Sequence, residues 1–327
     1  MRKMSYAGAI VEALRTSLSE DPTFSLVGSY VLGLGPKRVL MDSIRTEFPD
    51  QLYDPPTSEA AIVCIGAGAA MAGARPFVDI GTASFSYVGW SPLVNEAAVA
   101  RYMSGGSLRV PVVYHMLHGL RGGGAGQHSG SPQAMLWNAP GLEIVLPSSP
   151  YDVKGLMRSA IKSDNPTIFI NHARLMDIEA DVPVEDYTIP FGQADIKRAG
   201  RDVTLVATSF LVHVALSAAE RLAADGIEAE VVDPRTLVPL DHRTILDSVR
   251  RTATITLSTV GVMASSSGLE NGTGMSGRVT RTTGLRKYSN PSSTTIADIS
   301  EATPQLSGAS SMTTSRPVRR TESRMVL

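Results

Sequence analysis

A carboxylate, an aromatic ring and an imidazole stand at three points where this chain changes direction. Glu59 follows Pro55-Pro56-Thr57-Ser58 and opens the small-residue run that reaches Gly73. The two prolines forbid a helix before them, Thr57 or Ser58 can cap one, and Glu59 then falls in its first turn. Phe85 lies just past an apolar run that ends at Ile80-Gly81, where the chain leaves the C-terminal edge of a sheet and open α/β folds bind ligands. His128 follows a glycine-rich loop, Gly122-Gly123-Gly124-Ala125-Gly126-Gln127. A carboxylate so placed can hold a proton, and a histidine in such a loop can act as general acid, base or orienting donor. Each also has a plainer use. An acid at a helix start complements the dipole, a phenylalanine packs, and a histidine can be satisfied in a core or lie on the surface.

The glycine loop is neither a phosphate-cradling loop, since no Lys-Ser/Thr pair follows, nor a dinucleotide fingerprint. His115 and His118 sit upstream at the same sheet edge, without carboxylates at ligand spacing, so no metal site is expected on this chain. The single cysteine, Cys64, lies in the small-residue helix and reads as a packing residue.

The elements that must position these groups follow from the apolar pattern. Ser5 can cap a helix through Ala7, Ile10, Val11 and Leu14 that stops before Asp21-Pro22. Short apolar strands are predicted at 24–27, 76–80, 110–115, 142–146 and 167–171, alternating with helices at 37–48, 59–73, 91–104, 132–137 and 151–163. Gly66, Gly68, Ala69, Ala72 and Gly73 leave the helix after Glu59 nearly bare. Each interior glycine costs about 1 kcal/mol of helix propensity, which a tight interface would justify. A second alternation follows, with strands at 203–207, 228–233 and 254–257 and helices at 212–224 and 242–251. The expected class is α/β with two domains, each a mostly parallel sheet covered by helices on both faces. Their expected bounds are 1–178 and 201–257, joined by a polar linker at 179–200.

Of the 327 residues, 43 % are hydrophobic and 19 % charged, with a formal net charge of -1. That balance gives no electrostatic case for nucleic acid or an anionic membrane. No signal peptide or membrane-spanning run is evident, so the cytoplasm is the expected location. Residues 258–327 contain no Phe, Trp, His or Cys and are rich in Ser, Thr, Arg and Gly. Such a stretch reads as a disordered tail or the product of a reading-frame change.

Taken in order, several motifs resemble one family. They are Pro56-Thr57-Ser58-Glu59, Ala69-Ala70-Met71-Ala72-Gly73-Ala74-Arg75-Pro76, Tyr102-Met103-Ser104-Gly105-Gly106 and Gly126-Gln127-His128-Ser129. Asn138-Ala139-Pro140-Gly141-Leu142, Tyr151-Asp152-Val153-Lys154-Gly155-Leu156 and Asp233-Pro234-Arg235-Thr236-Leu237-Val238-Pro239-Leu240-Asp241 continue the series. Over residues 5–257 the chain resembles the β subunit of thiamine-diphosphate-dependent 2-oxoacid dehydrogenases, within the transketolase-like superfamily. The resemblance implies a pyrimidine-binding domain followed by a transketolase C-terminal-like domain. It makes Glu59 the carboxylate that hydrogen-bonds the aminopyrimidine and Phe85 the aromatic that packs against it. His128 becomes the histidine that orients the 2-oxoacid and assists acyl transfer to lipoamide, with Gln127, His115 and His118 as candidate pocket residues. The family's magnesium motif, Gly-Asp-Gly followed by Asn, is not in this chain. Thiamine diphosphate would therefore bind with Mg2+ ligated by an α subunit, in an α2β2 heterotetramer serving a lipoyl-bearing dihydrolipoyl acyltransferase.

Two departures from the family pattern stand out. Gly28-Ser29-Tyr30 replaces Gly-Glu-Asp or Gly-Glu-Glu, which leaves Ser29 where an acidic cofactor contact is usual, and His115-Met116-Leu117-His118 replaces Arg-Gly-Pro. These keep open a transketolase-like or acetoin-cleaving enzyme half. The aberrant tail keeps open a non-catalytic assembly subunit or pseudo-enzyme.

Overall fold

A computed structural model describes residues 1–28, 31, 36–119, 124–252 and 255–258. Ser29, the glycines at 122 and 123 and the tail from 259 to 327 lie outside the described residues. The first half of the chain runs β1 (Arg2–Ser5), α1 (Tyr6–Glu20), β2 (Phe24–Val27), α2 (Asp42–Glu47), β3 (Leu52–Tyr53), α3 (Glu59–Met71) and β4 (Arg75–Thr82). It continues through α4 (Ala100–Met103), β5 (Val113–His118), α5 (Gln133–Trp137), β6 (Glu143–Val145), α6 (Pro150–Lys162) and β7 (Thr167–His172). There follow β8 (Glu179–Val182), β9 (Asp195–Arg198), β10 (Val203–Ala207), α7 (Leu211–Ala224), β11 (Ala229–Asp233), β12 (Thr236–Val238), α8 (His242–Thr252) and β13 (Ile255–Ser258).

The larger sheet has seven strands in the order β12-β6-β7-β5-β4-β2-β3, parallel throughout except for β12. Its central strands are buried on both faces because both faces are covered. All six residues of β5 are buried. On one side α1 and α6 lay Tyr6, Ile10, Leu14, Leu156 and Met157 over Phe77 and Phe169. On the other, Val63, Ala67, Leu93, Ala97 and Leu136 cover Val78, Tyr114 and Ile168. Each large apolar side chain buried this way contributes about 1.5–3 kcal/mol.

α1 starts as its sequence dictates, with the Ser5 hydroxyl accepting from Gly8 N at 3.1 Å. α3 owes its position to glycine. A Cβ on Gly66 would stand 2.4 Å from a Val78 methyl, so the helix can lie directly on β4. Its opposite side is uncovered: Cys64 and Ile65 are exposed and Gly68 faces open space. Residues 91–104 form a wide π-helical turn (Pro92–Ala97) and the short α4 rather than one regular helix. Leu93 and Ala97 are both fully buried in that turn.

A smaller sheet orders β13-β10-β11-β9, with β9 antiparallel and the others parallel. Residues 179–200 are more structured than a polar linker would be. β8 pairs with β1, and β9 pairs with β11. Both are edge strands, whose polar, half-exposed side chains give little apolar signal. β12 crosses to pair with β6 at the margin of the larger sheet.

A buried ionic group fastens this crossing. Arg235 Nε donates to Asp152 Oδ1 at 2.7 Å, and Lys197 Nζ lies 2.6 Å from Asp152 Oδ2 and 2.8 Å from Asp195. Asp152 and Asp233 are fully buried. Burial alone would raise the Asp152 carboxyl, but the Lys197 and Arg235 charges outweigh it and hold it below the usual range. Burial, joined by the Asp152 charge, pushes Asp233 up to about 7 against the opposing pull of Lys197.

Candidate functional site

The C-terminal ends of β4 and β5 carry the segments that matter. The register of β4 against β5 shifts between Asp79 and Gly81, and Gly81 adopts φ +77°. Such a bulge re-aims the end of a strand. Here it leads through Thr82 into a 3-10 turn, Ala83–Tyr87, that holds Phe85. The loop after β5 returns to this turn and docks on it. The Ser84 hydroxyl donates to the Gln127 carbonyl, and Gly130 packs so close that a Cβ would sit 2.9 Å from that of Ser84. Within the loop, His128 N donates to Gly124 O at 3.2 Å and the Ser129 hydroxyl to Ala125 O at 2.7 Å. Ala125 itself is held at φ +49°, a strained conformation of the kind that clusters at working sites.

This docking brings Phe85 and His128 together. Their rings meet edge-on with centroids 5.0 Å apart. The Thr82 hydroxyl lies 3.4 Å from His128 Nδ1, which leaves Nε2 for another group. His128 and Gln127 are exposed, and Phe85 is partly buried against the core on the α3 side of the sheet. Glu59 opens α3, and the turn's continuation packs on it. A Cβ on Gly89 would lie 3.2 Å from the Glu59 carbonyl oxygen. The Glu59 carboxylate is part-exposed and has no partner among the described residues. Ser58 is the residue before the helix, but its side chain makes no capping bond.

His115 takes a different place. It is fully buried, with Nδ1 3.1 Å from Asp79 Oδ1 and Nε2 2.8 Å from Asn171 Nδ2. The Tyr6 hydroxyl donates to Asn171 Oδ1 at 2.5 Å, which turns the Asn171 amide nitrogen toward the histidine. His115 Nε2 is therefore the acceptor and Nδ1 the donor to Asp79. Asp79 Oδ1 also accepts from Gly81 N at 3.1 Å, while its Oδ2 is buried without a partner among the described residues. His118 is buried too, 3.0 Å from Ser131 Oγ, at the end of β5.

The sequence motifs do not single out Thr82, Ser84 and Ser131, the hydroxyls that hold the His128 loop. They are ordinary loop residues until the bulge and the glycine loop bring them together. Asp79 did leave a signal, a carboxylate inside the otherwise apolar run Phe77-Val78-Asp79-Ile80.

Several large apolar side chains next to these segments are exposed. Tyr87 and Val88 lie two and three residues past Phe85, and Met135 and Trp137 follow the His128 loop, while Tyr102 and Met103 end α4 at 87 % and 75 % exposure.

Comparisons with known proteins agree on one family. The transketolase pyrimidine-binding domain matches residues 2–177 and the transketolase C-terminal domain residues 192–269. The second match extends past residue 257, where the motif-level resemblance stops. The chain is 40 % identical over 261 residues to the beta subunit of acetoin:2,6-dichlorophenolindophenol oxidoreductase from Cupriavidus necator, covering 77 % of each chain. It is 38 % identical to the 2-oxoisovalerate dehydrogenase beta subunit of Bacillus subtilis, covering 79 % of this chain and 80 % of that one. It is 37 % identical to the pyruvate dehydrogenase E1 component beta subunit of the same organism, covering 77 % and 78 %. Among solved structures, a split-gene transketolase described as an inactive beta4 tetramer superposes with a TM-score of 0.65 at 21 % identity. That match covers 78 % of this chain and 79 % of the other and speaks to the fold.

Proposed function

Because the chain belongs to the β subunits of the thiamine-diphosphate-dependent 2-oxoacid dehydrogenases, we propose that it supplies half of an active site for oxidative decarboxylation of a 2-oxoacid. The acyl group passes to lipoamide. The observation that carries this reading is the meeting of Phe85 and His128 at the sheet edge, beside the helix start that bears Glu59.

The side chains fit the aminopyrimidine half of thiamine diphosphate. A carboxyl without a partner can share a proton with a ring nitrogen, and an aromatic side chain suits a flat heterocycle. When bound, the cofactor supplies the electron sink for carbon–carbon cleavage. Glu59 would share a proton between its carboxyl and the ring nitrogen, and Phe85 would pack against the ring. His128 donates from Nε2 to the oxoacid, oriented by its loop and by Thr82 on the Nδ1 side.

The site is completed by a second chain. The exposure of His128 and the apolar side chains around Phe85 and the loop support that assignment. We assign the Mg2+ ligands and the diphosphate contacts to an α subunit, in an α2β2 assembly that hands its product to the lipoyl arm of an acyltransferase in the cytoplasm. Among the described residues, no helix is long and apolar enough to cross a membrane.

The test is lipoamide-dependent turnover by this chain assembled with an α subunit of the family, offered pyruvate, 2-oxoisovalerate and acetoin in turn. Turnover of an oxoacid that disappears in Glu59→Gln supports the proposal. Turnover of acetoin alone, or none that depends on Glu59, contradicts it.

A further inference from the structure

One polar cluster beside the site joins the His128 loop to the smaller sheet. His118 ends β5 at 5 % exposure. Its Nδ1 lies 3.0 Å from Ser131 Oγ, on the loop just past His128, and its Nε2 lies 3.3 Å from Ser209 Oγ. Ser209 stands between β10 and α7, in the segment that starts the helix over the smaller sheet.

The surroundings fix this ring. His172, at the end of β7, meets it edge-on at 4.8 Å and stacks on Phe210 at 4.9 Å. The Arg174 main-chain N–H donates to His172 Nδ1 at 3.1 Å, so the His172 proton sits on Nε2. Gly119, at φ +84°, admits that ring, since a Cβ there would fall 2.1 Å from its Nε2. Burial pushes His118 down to about 3, and neighbouring His172 adds to the shift. The neutral imidazole offers one donor and one acceptor. A serine hydroxyl can take either role, so both contacts are satisfiable at once.

Ser209 holds φ +56°. A serine keeps a left-handed backbone only where its neighbours over-determine it. One such restraint is the bond from Val212 N to Ser209 O at 3.2 Å. The contact between its hydroxyl and His118 is another.

We propose that His118 is a positioning residue for the reaction, its two ring nitrogens tying Ser131 on the His128 loop to Ser209 at the start of α7, so that the smaller sheet sets where His128 stands. This rests on the role given to His128 above. His118 acts through the loop and does not touch the oxoacid.

The experiment compares Ser209→Gly, Ser131→Ala, Ser131→Thr and the Ser131→Ala/Ser209→Gly double variant in the assembled αβ enzyme. Ser209→Gly suits the left-handed backbone, so it removes the hydroxyl without endangering the fold. Turnover and hydrogen exchange of residues 124–131 are both read. Each single loss should lower kcat by roughly fivefold to tenfold, the scale of one hydrogen bond, with KM and thiamine diphosphate affinity unchanged. Ser131→Thr should restore kcat. The double variant should be no worse than the poorer single one, because both act through one ring. Exchange of the loop should quicken in both single variants. Wild-type kcat with unchanged loop exchange, or losses that multiply in the double variant, would overturn the proposal. If the wild-type enzyme turns over no oxoacid, the catalytic reading of His128 has failed. Loop exchange then decides the tie alone, quickened exchange upholding it and unchanged exchange refuting it.

Discussion

The ring of His128 meets the ring of Phe85 edge-on at 5.0 Å, although one belongs to a glycine loop after β5 and the other to a turn after β4. The contact exists because a bulge at Asp79–Gly81 redirects the end of β4 and because Gly130 lets the loop settle on Ser84. From that geometry the roles of the neighbouring groups can be put to trial.

Glu59→Gln keeps the shape of the side chain and removes its capacity to carry the shared proton. Since Glu59 makes no side-chain bond among the described residues, thermal stability should hardly change. Turnover of the assembled enzyme should fall by about 10²–10⁴-fold, the range of general acid–base contributions. Stopped assays on the assembled variant measure it.

His128→Asn should lower kcat by about 10²-fold or more, with little effect on thiamine diphosphate affinity. Phe85→Ala should do the reverse in part, weakening cofactor binding because the aromatic contact is lost. Paired titration and turnover measurements separate the two.

The buried ionic group gives a prediction for stability. Asp152→Ala removes the buried carboxylate between Lys197 and Arg235 and leaves both sharing the more exposed Asp195. It should cost about 3–5 kcal/mol, as breaking buried pairs does. The pH dependence has two parts. The Asp152 carboxyl is held low in the folded chain, so its contribution is present above the ordinary aspartate pKa and is lost as pH falls through the lower folded value. Asp233 is raised to about 7, so its contribution is full below its ordinary pKa of 3.8 and is lost as pH rises to about 7. Asp233→Asn should therefore flatten the stability profile between those two values, as denaturant titrations at stepped pH would reveal.

Gly68 sits on the bare side of α3 with nothing near it. Gly68→Ala should stabilise the isolated chain by about 1 kcal/mol, the helix-propensity difference. If that side packs against another subunit, Gly68→Leu should weaken assembly while leaving the isolated chain folded. Sedimentation of the αβ mixture reads the second effect and thermal melts the first.

Much of the scaffold was legible in the residues. Ser5 caps α1, Glu59 opens α3, and β10 spans Val203–Ala207 as its apolar run indicates. Phe85 is singled out by its place after the 76–80 run and His128 by its glycine-loop motif, but their contact depends on a bulge that no local pattern announces. β5 shows why the pocket was harder to read. All six of its residues are buried, so alternation cannot tell a histidine facing the core from one facing an opening. His115 is in the core, bonded to Asp79 and Asn171, and His118 is at the strand's end against two serines. β8, β9 and β12 are not legible in the sequence because each is short and pairs with a distant strand at a sheet margin. Their stability comes from that pairing and not from the local sequence.

If this chain supplies half of a thiamine diphosphate site, as proposed above, the cofactor binds only where both halves are present. Calorimetry with thiamine diphosphate and Mg2+ tests it most directly, on this chain alone and then on its assembly with an α subunit. Binding is expected in the assembly, weakened in Glu59→Gln, and none is expected to the isolated chain. Tight binding to the isolated chain, or no binding to an assembly shown to form, would contradict it.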